Sequence, residues 1–454
     1  MSKQQMRIVL VGLGKHSMRT YWSFFELLKE QTDFSVVALV DLVSNKKVIN
    51  DFIEKSFIKP EQYIFLENKE DTSSLQALKE LDTIYAKERI DKIIIATEPC
   101  SHGIYIDWAL SHDIEILVEK PVIAFVDMNL NKEKARNIER YVTNIATKDT
   151  NARISVQTQR RYNAAYAFTY SYVKEFIKEF KVPISFLSVH HEDGLWNSIQ
   201  EFSTEEAHPY KYGYGKLLHS GYHYIDLFCW FSQLNTHANG KDWADEMSLS
   251  TEIFRPIDLA NQLRSLRALQ KPYVTEKNNV SHTLGEIDCY NSFQFKKSGF
   301  VVMIGRVDMM QNSVSSRTNF DDVYTGKHDV GVRKYEEVSI YVGPLLKLRI
   351  YTVSKENDKE YYFRVEVSKN ADLVGGKDIE IFDFKQEYGT VPNSIHGWTP
   401  NKIARFRLFD AFLSGRENIS KIASHVDTNR MISLMYQNIT ASQTGKIPYS
   451  KIHL

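Results

Sequence analysis

At 454 residues the chain is too long for one ordinary core, and its 57 lysines plus arginines balance 57 aspartates plus glutamates. Zero net charge excludes a whole-molecule field that would draw in nucleic acid or an acidic membrane, and a charged fraction of 25% marks a globular protein. Cys100, Cys229 and Cys289 form neither a metal-ligand spacing nor a disulfide framework, so reduced thiols in a cytoplasm are expected; no export segment and no apolar run of membrane-spanning length is seen.

Arg7–Val11 is a continuous apolar run, the pattern of a strand buried on both faces. Met18, Tyr21, Trp22, Phe25 and Leu28 follow at helical spacing. Further strands are expected at Ser35–Val40, Lys92–Ala96 and Glu115–Val118, with a helix from His102 to Ser111 between the last two. Strand and helix alternate, which argues for a doubly wound parallel sheet. A helix over Lys132–Ala146, a strand at Ala152–Gln159 and a long helix over Ala164–Phe180 come next. Strand-like runs then dominate: Ile184–His190, Glu286–Phe295, Phe300–Asp308, Tyr335–Tyr341 and Tyr361–Val367, with a glycine-containing hairpin loop at 296–299. They read as a largely antiparallel sheet. Helices at Lys402–Ser414 and Val426–Ser442 close the chain, while 235–282, 309–334 and 368–400 show too little periodicity for an assignment.

Gly12 and Gly14 follow the first strand and precede its helix, the context that gives a glycine pair meaning. The first glycine permits a tight turn, the second lets backbone amides approach a pyrophosphate, and Ser17 takes the third small position. Asp41 ends the second strand, where a carboxylate holds both ribose hydroxyls and repels a 2′-phosphate, favouring NAD over NADP. Lys120 closes another strand, in Glu119-Lys120-Pro121, at the sheet edge where such folds bind ligands. In Gly213–Asp226 the residues His219, His223 and Asp226 are spaced four and three apart, so a helix would bring them to one face. A histidine titrates in the range useful for moving a hydroxyl proton, and a lysine ammonium stabilises alkoxide character.

Four motifs in order carry a resemblance: Gly12-Leu-Gly14, the run from Asp91 through Ala96, Thr97 and Pro99 to His102, Glu119-Lys120-Pro121, and Gly213–Asp226. The chain resembles the Gfo/Idh/MocA family of glucose–fructose oxidoreductase, inositol dehydrogenase and their sugar-handling relatives. Gln159-Arg160-Arg161-Tyr162 and the closing helices extend the likeness along the chain. The resemblance implies an NAD(P)-binding Rossmann domain over 1–150. An α+β domain with an open-faced, mostly antiparallel sheet would follow over 151–454, for substrate binding and oligomerisation, with closing helices able to pack back on the first domain. It implies that Thr97, Pro99 and Glu119, with His102, line the nicotinamide side, that Lys120 touches the reacting hydroxyl and that His223 is the acid/base residue.

In many relatives an aspartate stands where this chain has His219, which cannot supply the same permanent negative charge; Asp226, one helical turn past His223, is the candidate to compensate. A histidine pair four apart also suits a metal, with His190-His191-Glu192-Asp193 as further ligands, but two ligands and a hypothetical third are too few, and no metal is expected. Tyr210, Tyr212, Tyr214, Tyr222 and Tyr224, with Trp196 upstream, suit a sugar or cyclitol face or plain core packing. Arg161, beside Arg160, suits a substrate carboxylate or phosphate, or a surface ion pair. The reading is an NAD(H)-dependent oxidoreductase for a sugar or polyol, a homodimer or homotetramer with no nucleic-acid or membrane partner. Competing readings are a non-catalytic dinucleotide- or sugar-sensing protein of the same fold and a redox-neutral enzyme that recycles bound NAD.

Overall fold

The computed structural model describes residues 5–67, 71–195, 197, 199–204, 210–263, 280–312, 335–354, 361–385 and 398–454. The chain divides into two compact units: 1–124, 142–162 and 391–426 form the first, and 125–141, 163–390 and 427–454 the second.

The first unit is built on strands β1 (Met6–Val11), β2 (Phe34–Leu42), β3 (Gln62–Leu66), β4 (Lys92–Ile95), β5 (Glu115–Val118) and β6 (Ile154–Val156). They lie in the order β3-β2-β1-β4-β5-β6, and every pair is parallel. The order reverses between β1 and β4, and a crevice for ligands opens at the carboxyl ends of strands at such a point. The helix after β1 runs in three stretches, Lys15–Ser17, a π turn at Met18–Trp22, and Ser23–Leu28. Its rings Tyr21, Phe24 and Phe25 pack with Phe406 and Phe409 from the helix Pro400–Leu413. Each buried ring of this kind contributes roughly 2–3 kcal/mol.

The second unit holds a nine-stranded sheet: β7 (Ile184–Leu195), β8 (Glu246–Phe254), β9 (Asp288–Lys297), β10 (Phe300–Asn312), β11 (Tyr335–Val342), β12 (Leu346–Ser354), β13 (Tyr361–Lys369), β14 (Ile379–Phe384) and β15 (Tyr449–His453). Their order is β14-β13-β12-β11-β7-β10-β9-β8-β15, antiparallel except at β7–β10, which is parallel. Lys297 pairs with Phe300, so the hairpin turn is Ser298-Gly299, both at positive φ as this tight turn requires. Burial alternates strictly along β11, Glu336, Val338, Ile340 and Val342 being buried. On the buried face Tyr166 and Phe168 of the helix Ala164–Phe180 meet Phe363, Phe382 and Phe384. The other face carries a polar ladder in which Arg349 joins Glu337 at 2.9 and 3.0 Å and Arg364 joins Asp383 at 2.6 and 3.0 Å.

Candidate functional site

In the first unit the candidate residues gather at the carboxyl ends of β1, β2, β4 and β5. Gly12 turns at φ 90°, and a Cβ there would stand 2.6 Å from the carbonyl oxygen of Ala96, just past β4. Only glycine fits. Gly14 begins the helix at φ −72° with nothing within 4 Å of where its Cβ would be. Ser17 is buried, as a small residue between helix and sheet must be. Asp41 accepts from the backbone N–H of Leu13 at 2.6 Å and of Leu42 at 2.7 Å, and from Asn45 Nδ2 at 2.8 Å. These donors fix the carboxylate against the glycine turn and leave it about one further lone-pair site for a ribose hydroxyl. A crowded first glycine, open space over the second and an oriented carboxylate fit a dinucleotide.

That open space yields a prediction. Gly14→Ala is expected to leave the unfolding midpoint unchanged while raising the Kd for NADH, read by fluorescence titration, at least roughly tenfold, about 1.4 kcal/mol. Unchanged affinity would place the pyrophosphate elsewhere.

Glu119 and Lys120 follow β5, half-buried, and the Lys120–Pro121 peptide is cis. Glu119 Oε1 accepts the Tyr21 hydroxyl at 2.6 Å and lies 3.2 Å from His16 Nε2, both residues in the first turns of the helix after the glycine pair. Burial pushes this carboxyl up, but the hydrogen bond and charge of His16, the ammonium of Lys120 and the Tyr21 hydroxyl outweigh it and hold the pKa at about 2. Glu119 is therefore an anion at neutral pH and ties the lysine corner to the start of the helix after the glycine pair. Thr97 and Pro99 lie half-buried after β4. His102 is fully buried; its Nε2 is 3.0 Å from Thr97 O, and its Nδ1 is 3.1 and 3.2 Å from Pro121 O and Val122 O. Burial lowers its pKa, with the carbonyls opposing, and the ring staples the segments after β4 and β5 together. Arg161, 1% exposed, donates to Ile419 O at 2.9 Å, Ser424 Oγ at 2.7 Å and Ser424 O at 3.1 Å, so its guanidinium holds the 419–424 loop.

In the second unit His223 and Asp226 ride on the helix Tyr222–Ser232, whereas His219 lies in the turn ahead of it. That turn is irregular: Leu218 N and His219 N both bond Gly215 O, at 3.1 and 3.0 Å, and Gly221 N reaches back five residues to Lys216 O at 2.9 Å. All three side chains are buried. The His219 ring meets Tyr210 edge-on at 4.9 Å and Tyr214 at 5.8 Å. Asp226 Oδ1 accepts from Thr428 Oγ1 at 3.1 Å, and the Tyr222 hydroxyl accepts from Asn429 Nδ2 at 3.0 Å. Both partners lie on the helix Val426–Gln443, which thus braces the candidate helix. Trp196 lies outside the described residues.

Sequence reasoning missed Glu286. Its Oε1 accepts from Leu217 N at 2.8 Å, Gly215 N at 3.2 Å and the Tyr436 hydroxyl at 2.9 Å, fixing the start of the His219 turn. Burial pushes its pKa up to about 7, against these stabilising hydrogen bonds. A folded-state pKa above the ordinary 4.5 means the stabilising contribution is complete below pH 4.5 and lost as pH rises through 7, about 3 kcal/mol in all. Glu286→Gln removes that loss, so its stability relative to the unsubstituted protein should rise between pH 5 and pH 8 (roughly the window those pKa values set) in urea unfolding. A difference independent of pH would refute this origin. The sequence signal was thin, a lone acid after a glycine at the start of an apolar run. His16 and Tyr21 were closer to hand, an imidazole and a phenol just past the glycine pair.

Residues 6–142 match a family model, Gfo/Idh/MocA, described as an oxidoreductase family with an NAD-binding Rossmann fold. No curated protein sequence matches. Among solved structures, the chain is similar to levoglucosan dehydrogenase in complex with NADH (13% identity, TM-score 0.58, 99% of both chains covered). It is also similar to aldose–aldose oxidoreductase from Caulobacter crescentus complexed with glycerol (12%, 0.57, 99% of this chain and 100% of that one). A third is a myo-inositol dehydrogenase from Corynebacterium glutamicum (12%, 0.52, 99% of both chains). At such identities the likeness establishes the fold, a parallel Rossmann sheet followed by a second, mostly antiparallel one. No helix among the described residues is long and apolar enough to cross a membrane. Over residues 6–142 the chain is therefore similar to the Gfo/Idh/MocA oxidoreductases and to their NAD-binding Rossmann fold.

Proposed function

We propose that this protein is an NAD(H)-dependent oxidoreductase acting on a secondary alcohol or ketone of a sugar, cyclitol or sugar derivative. The observation that carries the reading is the Glu119 carboxylate, bonded to Tyr21 and close to His16, which ties the Lys120 corner to the helix that follows the glycine turn. Polyol and sugar chemistry is supported by the named activities of the similar structures. Bound NAD supplies the hydride acceptor or donor. Lys120 then stands against the reacting oxygen and favours its alkoxide character. His223 withdraws or returns the hydroxyl proton, with His219 and Asp226 tuning it and Tyr222 holding its helix through Asn429. Thr97 and Pro99 flank the nicotinamide side, and the charge of Asp41 selects NAD over NADP.

The half-exposed face of the second sheet, with its Arg349–Glu337 and Arg364–Asp383 pairs, suits a homodimer or homotetramer. The free thiols suit a reducing cytoplasm. Incubating the pure protein with NAD+ and a panel of polyols, cyclitols and aldoses, and following nicotinamide absorbance, tests the reading. Reduction of NAD+ by one class of polyol is expected. Tight cofactor binding with no turnover across the panel would instead favour a sensor of the same fold, the reading to which His219, packed between Tyr210 and Tyr214, lends weight.

A further inference from the structure

Strand β7 carries His190-His191-Glu192-Asp193 in its second half, and its alternation turns His191 and Asp193 toward the helix-covered face. There the Asp193 carboxylate meets Lys216, whose side chain is fully buried, and Asp193 Oδ2 accepts from Ser220 Oγ at 3.0 Å. His191 Nε2 stands 3.6 Å from Asp193 Oδ1, and the His191 ring stacks on Tyr224 at 4.0 Å. Tyr224 in turn donates to Glu336 Oε2 on β11 at 2.5 Å. Lys216 and Ser220 bracket His219, and Tyr224 follows His223 directly.

A buried ion pair is weak evidence of stability, because desolvating both charges offsets their attraction, and an apolar pair of similar volume serves a core as well. A lysine with no exposed side-chain surface in this irregular turn therefore calls for a conformational explanation. One carboxylate grips the turn on both sides of His219, at residue 216 through charge and at residue 220 through a hydroxyl. A second carboxylate, Glu286, holds the backbone amides of Gly215 and Leu217 in the same turn. The turn thus has little freedom left, and neither has the imidazole it presents.

We propose that Asp193, with Lys216 as its counter-ion, is a positioning residue that sets the His219 turn and the start of the His223 helix for proton transfer. The proposal rests on the reading that these histidines serve the chemistry. Asp193 touches neither cofactor nor reacting atoms and acts through the turn.

The test compares D193L/K216M, S220A, K216R and H223A in full-length protein, with kcat, KM for the polyol that turns over best, and the thermal midpoint. D193L/K216M removes both charges together, so its midpoint is expected near that of the parent, while kcat falls roughly tenfold to a hundredfold from misplacement alone. S220A keeps the ion pair and is expected to lose several-fold in kcat at an unchanged midpoint, so it decides the matter even if the double variant does not fold. K216R, which keeps the pair, is expected to retain parental kcat. Parental kcat in D193L/K216M or in S220A overturns the proposal, leaving the pair a structural one. Full turnover in H223A overturns instead the underlying reading of the site.

Discussion

Lys120→Ala is expected to lower kcat roughly 100- to 1,000-fold, the effect of removing one electrostatic contact to a developing oxyanion. The expectation follows from where the ammonium stands, half-buried at the end of β5 beside a carboxylate held as an anion at a pKa of about 2. NADH affinity should stay within about twofold, because the tight turn at Gly12 and the donors that orient Asp41 are untouched. His223→Ala should cost roughly 100- to 10,000-fold, the usual range for a general acid–base group. On the proposed function the two serve one step, and groups that do so are strongly non-additive, so the double variant should lose little more than the worse single one. Steady-state kinetics with a thermal midpoint on each variant checks this. Parental kcat/KM in either would remove that residue from the chemistry.

Gly215→Ala is expected to be the most damaging single methyl in the second unit. A Cβ there would sit inside the van der Waals reach of the Glu286 carbonyl, and the partner segment offers no relief, since a Cβ on Gly285 would collide with the Tyr214 carbonyl. Both contacts are backbone against backbone, so neither side can rotate away as a side chain would. Lys216 N–H···O=C Glu286, at 2.8 Å, stitches the same crossing. Forcing the two segments apart should cost about 3–5 kcal/mol, at the severe end for a point substitution, and lower the midpoint by on the order of 10 °C. The His219 turn would loosen with it, so residual folded protein should also turn over slowly. A normal midpoint would show that the crossing is softer than its geometry indicates.

Parallel strands and long helices were legible because burial on both faces, or on one helical stripe, leaves a local mark. The apolar runs at β1, β2, β4 and β5 and the helices from residues 132, 164 and 426 were all read within a residue or two. The edge strands β3, β14 and β15 escaped, and so did β8 and β12 inside the second sheet. β8 and β15 pair with each other across some two hundred positions of sequence, and β14 is half wet, with Ile379 and Ile381 exposed. Nothing in the residues of β7 and β10 announces that they run parallel within an otherwise antiparallel sheet, since pairing depends on connections rather than pattern. Candidate site residues were legible as chemical types, but their employment was not. The Arg161 guanidinium holds a loop around residue 420, the His102 imidazole staples two strand ends, and His219 stands ahead of a helix it was expected to share. Each depends on partners remote in sequence or on a glycine turn whose course local periodicity does not reveal.

The helix Pro400–Leu413 covers a sheet whose last strand is complete by residue 156. During synthesis Phe24, Phe25 and Leu28 therefore emerge long before the rings that will shield them, and at roughly 5–20 residues per second the delay is on the order of tens of seconds. Through that interval the nascent nucleotide-binding domain presents a sticky aromatic shelf to its surroundings. A premature stop before residue 400 would leave those rings without the helix that packs on them.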